Sequence, residues 1–192
     1  MGRRKTVSDE DLLDAARQAF VERGFPASTK EIARRAGVSE GVIFQRFATK
    51  EDLFFAAMIP PTADLDQLLR SRSHGRALLE KIAFAMIDYF RETLPVMLPL
   101  MSHPSFSFEE FARRHPGSPM LLLRRQLMEF FVREQQAGRI GPGDPGAAAL
   151  VLWSITHAIP FFERLGAHDG KFGDEIVRAT IRCFWDGLAP KA

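Results

Sequence analysis

The chain has a single cysteine, Cys183, in 192 residues. No intramolecular disulfide can staple it, which is consistent with a reducing compartment. No apolar run approaches the ~18–20 residues of a membrane span, and the polar, charged N-terminus is unlike a secretory leader. The expected location is the cytoplasm, with no membrane partner. Strand-like alternation is missing and β-branched residues are sparse, so the expected fold is all-α. His74, His103, His115, His157 and His168 form no HExxH-type pair. There is no second cysteine and no glycine-rich phosphate loop. No metal or cofactor is called for, and an enzyme is not expected unless folding alone assembles a site.

What is present is 46% hydrophobic content, enough for a sizeable core, with a net charge of only +2. The chain is therefore not a generally basic coat for nucleic acid. Its charge is unevenly spread: residues 1–50 hold ten Lys and Arg against seven Asp and Glu, and the remainder sixteen against seventeen. Arg3, Arg4 and Lys5 form a short basic arm. It either lies along phosphates or a minor groove, or is an untethered polar terminus.

Ser28 to Phe47 has the form of a helix-turn-helix. Ser28 and Glu31 have capping-box spacing, predicting a helix from Thr29. Ile32, Ala33 and Ala36 share its inner face, and Gly37 ends it. Val38 plugs the turn. Ser39 can cap a second helix, with Ile43 and Phe47 inward and Glu40, Val42, Phe44, Gln45 and Arg46 on other faces. That outward set suits a major groove. Before it, Ser8 caps a helix to about Arg23, with Leu12, Leu13, Ala16, Ala19 and Phe20 as its apolar stripe. After it, Thr49 caps a fourth helix in which Leu53, Phe54 and Met58 are expected to reach the body of the protein. Pro60 and Pro61 end that helix, and the domain boundary falls there.

AGVSEGVIFQRFATKEDL, extended backward through LLDAARQAFVERGFPASTKEIA, resembles the DNA-binding signature of the TetR family of bacterial regulators. The likeness covers roughly residues 9–56. It implies an N-terminal three-helix DNA-binding domain over 1–60, joined by a fourth helix to a larger helical effector-binding and dimerisation domain over 61–192. Carried over residue by residue, it puts Thr29 and Lys50 on the phosphate backbone. Two positions depart from the family pattern: its Tyr is here Phe44, which lacks the hydroxyl donor, and its His is here Arg46, whose charged fork can recover a phosphate contact. Base reading falls to Glu40, Val42 and Gln45, against cytosine N4, a thymine methyl and adenine. Glu40 reads equally well as a partner of the helix dipole.

Beyond residue 61 the pattern stays helical. A short helix is predicted over 62–72 and a longer one over 76–93, with Leu78, Leu79, Ile82, Met86, Tyr89 and Phe90 inward. Pro95, Pro99 and Pro104 then predict that LPVMLPLMSHP is not one regular helix. SFSFEEFARR is another short element. Gly117 and Pro119 precede a helix over about 118–136, closed by Gly138. Residues 147–162 are apolar on almost every side, with Pro160 expected to kink or divide them. A last helix runs over about 174–188. In these two helices Trp153, Phe161, Val177, Ile181 and Phe184 are candidates for a homodimer interface; the alternative is that they are the core of one domain.

Seventeen Phe and seven Met against one Tyr describe an apolar interior, either solid or enclosing a pocket. The resemblance implies a pocket for a small-molecule effector, and the composition favours an apolar or aromatic one. Met86, Phe90, Met97, Met101, Phe108, Met128, Phe131 and Trp153 are its candidate walls. His157 is its candidate polar contact, or else a structural histidine. The function expected is a repressor that binds a palindromic operator in double-stranded DNA as a homodimer. The alternative is a DNA-binding protein of the same fold used without an effector, as in chromosome organisation.

Overall fold

A computed structural model of the chain describes residues 7–59, 62–104, 106–114, 116 and 118–188. Arg3, Arg4, Lys5, the pair Pro60 and Pro61, His115 and Gly117 lie outside them. Among the described residues there are ten helices and no strand: α1 (Asp9–Arg23), α2 (Thr29–Ala36), α3 (Glu40–Arg46), α4 (Lys50–Met58), α5 (Ala63–Arg70), α6 (Gly75–Met101), α7 (Phe108–Arg114), α8 (Pro119–Gln136), α9 (Pro145–Leu165) and α10 (Asp174–Leu188). The chain divides into two compact units. One is Met1–Pro60 with Pro95–Ser107, the other Pro61–Leu94 with Phe108–Ala192.

In the first unit α1 packs on α2 and α4, and α2 on α3. Leu12, Ala16 and Phe20 of α1, Ile32 and Ala33 of α2, Ile43 of α3, and Leu53 and Phe54 of α4 close one core, with Leu100 joining it. Leu53 and Phe54 thus complete this small domain in one core with Leu100 of α6. The reason is local: Phe54 meets Phe20 and Phe25 edge-on, at 4.8 and 5.4 Å between centroids.

The second unit is built on α8 against α9 and α5. Ile87 of α6, Ile159 of α9 and Val177 of α10 form a buried cluster within it. Glu134, 2% exposed, takes Arg139 in a two-point ion pair and accepts the Gly75 amide at the start of α6.

Three expectations are corrected here. α6 does not break at its prolines but runs through Pro95 and Pro99 to Met101. Both prolines are exposed and, four apart, share one side of the helix. The carbonyls they leave without a donor can therefore be hydrated, and the helix can bend with that side outermost. α9 is likewise continuous through the buried Pro160. Four residues earlier, where the ring presses on a carbonyl, the Thr156 hydroxyl donates back to Leu152 O at 2.8 Å, which also bends helices. α9 is moreover longer than the sequence suggested, and its 21 residues are long and apolar enough to cross a membrane; only a third of that apolar window is buried.

Candidate nucleic-acid interface

The helices of the first unit begin in two different ways. α1 and α4 carry complete capping boxes: Ser8 with Asp11, and Thr49 with Asp52. α2 and α3 start at Ser28 and Ser39, and neither serine makes a side-chain cap bond. The box expected between Ser28 and Glu31 is not formed, because Glu31 is drawn to two arginines. Its carboxylate meets Arg23 at 2.6 Å and Arg35 at 2.8 Å. Arg35 also holds Glu22 of α1 through two bonds of 2.8 and 2.6 Å. Hydrogen bonds from Arg35 hold both carboxyls below the usual carboxylate range. A cap is worth about 1 kcal/mol, so the two motif helices forgo that stabilisation and leave amides open at their N-termini. Open amides and the positive end of the dipole suit a phosphate.

The turn between them is as expected. Gly37 has φ +69° and ψ 27°, a left-handed conformation, and Val38 N–H bonds back to Ala33 O. Ile43 is buried, while Gly41, Phe44 and Gln45 are exposed on α3. Val42 is half-buried. Phe44, at 44% exposure, leaves much of its ring open to solvent.

The remaining predicted contacts are engaged within the protein. The Thr29 hydroxyl donates to Glu40 Oε1, joining the first residue of α2 to the first of α3. Arg46 folds back on the start of α1, its guanidinium 2.8 Å from Val7 O and 2.9 Å from Asp9 Oδ1. Lys50 is half-buried over the Phe25 ring, and burial pushes its pKa down.

Three functional candidates are not among those read from the sequence. Lys30 and Arg34 are exposed on α2, four residues apart. A lysine in the first turn opposes the helix dipole, and that was the available signal. Gly41 is the third. A Cβ there would meet only Ser39 Oγ, at 3.8 Å, so nothing in the subunit requires a glycine.

In the second unit, some of the candidate pocket walls come together between α6 and α9. Phe90 meets Trp153 and His157 edge-on at 5.1 and 5.2 Å, and His157 stacks on Phe161 at 6.2 Å. Met86 lies beside Thr156, with Sδ 3.9 Å from the hydroxyl. Burial lowers the pKa of His157 and pushes Tyr89, next to Phe90, up to about 12. Other candidates lie elsewhere. Met101, Phe108 and Met128 are exposed, so they do not line an enclosed interior. Met97 and Met101 belong to the stretch that packs with the first unit. Phe131 is fully buried against Phe130 and Phe184.

The interface candidates also need correction. Val177 and Ile181 are 1% and 0% exposed in the subunit alone, and cannot meet a second copy. Trp153 and Phe184 pack on Phe90 and Phe131 and, like Phe161, are half-buried in the subunit. The uncovered apolar side chains are instead Leu150, Val151, Phe162 and Leu165 of α9 and Ile176 of α10, between 44% and 64% exposed.

Residues 12–57 match the family model of bacterial regulatory proteins, tetR family. The chain is 37% identical over 83 residues to the HTH-type transcriptional activator FasR of Mycolicibacterium smegmatis, covering 41% of this chain and 38% of FasR. It is 26% identical over 99 residues to the HTH-type transcriptional repressor AcnR of Corynebacterium diphtheriae, covering 50% of this chain and 52% of AcnR. The matches thus span about half the length of these relatives or less. Over nearly the whole chain, the fold is similar to that of the flavonoid-responsive regulator FrrA, with a TM-score of 0.69 at 25% identity, covering 95% of this chain and 97% of FrrA. Residues 12–57 thus have the sequence of the DNA-binding domain of bacterial regulatory proteins of the tetR family, which is what this part of the chain is similar to.

Proposed function

We propose that the protein is a DNA-binding transcriptional regulator, acting in the cytoplasm as a homodimer on a palindromic operator and released by a small apolar or aromatic effector. The observation that carries this reading is the contrast at the helix starts. α1 and α4 are closed by capping boxes, whereas α2 and α3 leave their first amides open beside the exposed Gly41, Phe44 and Gln45. Phosphate contacts by Thr29, Lys30, Arg34 and Lys50 set the register, and the outer face of α3 reads base edges.

The exposed apolar face of α9 with Ile176 of α10 supports pairing with a second copy, because an identical face would bury it. Two subunits then read two half-sites. Repression is the direction proposed: operator occupancy alone obstructs transcription, whereas activation needs a further contact. Met86, Phe90, Trp153 and His157 form the effector site, where His157 supplies one hydrogen bond among aromatic faces. The flavonoid response of FrrA is a precedent for an aromatic effector on this fold.

Selection of random double-stranded DNA by the purified protein tests the reading. The expected product is a two-fold symmetric sequence, bound by two subunits or a multiple of two with steep salt dependence. Failure to enrich any sequence would refute it.

A further inference from the structure

The Thr29 hydroxyl and the Glu40 carboxylate are bonded to each other in the free protein, with Thr29 as the donor. A hydroxyl has one proton to give, a carboxylate only accepts, and a phosphate oxygen only accepts. While Thr29 donates to Glu40, its hydroxyl therefore has no proton left for a DNA phosphate, and only its backbone amide remains as a donor. Glu40 opens the helix whose outer face is uncovered, so the carboxylate stands where that face meets the grooves and backbone of a duplex.

We propose that Thr29 and Glu40 form a conditional contact: the Thr29 hydroxyl holds phosphate only when the DNA offers Glu40 a base donor, which makes Glu40 a specificity-determining residue acting through Thr29. This rests on the DNA-binding reading above and extends it.

In the major groove the donors are cytosine N4 and adenine N6. Guanine presents only acceptors, and thymine an acceptor and a methyl group. Opposite a donor, Glu40 exchanges the Thr29 proton for the base, and the freed hydroxyl turns to the backbone. Opposite guanine or thymine, a released carboxylate would face acceptors and phosphates with no donor. It stays on Thr29, and the phosphate contact is not made. A contact that carries no sequence information by itself thereby becomes dependent on one base pair.

The experiment measures binding of the wild type, Thr29→Val, Thr29→Ser, Glu40→Ala and the double variant Thr29→Val with Glu40→Ala. The DNAs are the selected operator and its symmetric single-base substitutions, and thermal melts establish that each variant is folded. At one base pair, Glu40→Ala is expected to lose discrimination by binding the acceptor-only versions more tightly. At that same pair Thr29→Val should weaken binding to the donor version by about tenfold to a hundredfold, the range of a hydrogen bond to a charged group. With the acceptor-only versions it should change binding by less than about twofold. Thr29→Ser, which keeps the proton, should retain the wild-type pattern. A Thr29→Val penalty equal on all DNAs, or full discrimination kept by Glu40→Ala at every position, overturns the inference while leaving the regulator standing. If no sequence is enriched at all, the regulator reading fails and this inference falls with it.

Discussion

The Lys50 ammonium lies over the face of Phe25, 4.7 Å from the ring centroid. Burial works against its charge, shifting its pKa downward, and a ring face offsets part of that by about 0.5–1 kcal/mol. A lysine opening α4 is also opposed by the helix dipole. Within the chain, the neighbouring Glu51 carboxylate and the ring face favour the charge against that burial, and a DNA phosphate would favour it further.

Lys50→Ala should accordingly leave the melting temperature nearly unchanged, since the lost ring contact and the relieved dipole are both under about 1 kcal/mol and opposite in sign. DNA binding should weaken, and the slope of log affinity against log salt should fall by about 0.9 per subunit. Sequence preference should not move. Titrations at several salt concentrations, on the selected operator and one single-base variant, check all three.

Gly41 predicts an opposite movement of stability and function. A glycine inside a helix is less stable than alanine there by about 0.5–1 kcal/mol, and the space around a Cβ is open. Gly41→Ala should raise stability by that amount in denaturant titrations. It should also weaken DNA binding, because the methyl group stands on the exposed face of α3 where the duplex must approach closely. Unchanged affinity would show that the glycine is not needed for docking.

The helix-turn-helix was legible because its signals are local. Gly37 takes the left-handed turn, Ile43 is buried, Ser8 and Thr49 cap their helices, and each follows from a few neighbouring residues. What the sequence hid depends on partners far along the chain. Glu31 abandons its cap for Arg23 and Arg35, and Arg46 turns to Val7 and Asp9. Spacing alone cannot choose between such partners. Pro95 and Pro99 read as breakers, yet they are tolerated because both stand on the solvent side of α6. Val177 and Ile181 show the same limit: helical spacing identifies an apolar stripe, but not whether the subunit or a second copy covers it.

His157 gives a prediction in pH. Burial lowers its pKa from the ordinary 6.5, so the unfolded chain binds its proton more readily than the folded one. Between the folded value and 6.5, stability therefore rises with pH, and it is lost as pH falls below about 6.5. The paired carboxylates Glu22, Glu31, Glu134 and Glu163, all lowered from 4.5, act in a separate window below that value. His157→Gln should flatten the decline in melting temperature between about pH 7 and 5.5. An unchanged profile would show that burial of the neutral imidazole contributes nothing in that range.

The corrected interface separates two substitutions that spacing would treat alike. Leu150 is 64% exposed on α9, so Leu150→Glu should leave the subunit folded with an unchanged unfolding midpoint at low concentration. In a dimer it would bring two carboxylates into an apolar contact, and sedimentation should report monomers with DNA affinity lost. Ile181 is 0% exposed, so Ile181→Ala should destabilise the subunit itself by about 2–5 kcal/mol. Cys183 provides an internal probe. It is the only cysteine and is exposed on α10, three and seven residues beyond Thr180 and Ile176. Its reaction with a thiol reagent should be slow in the wild type at concentrations where the dimer forms, and fast in Leu150→Glu. Equal rates in both, with Leu150→Glu still dimeric, would place the second copy on another face of the molecule.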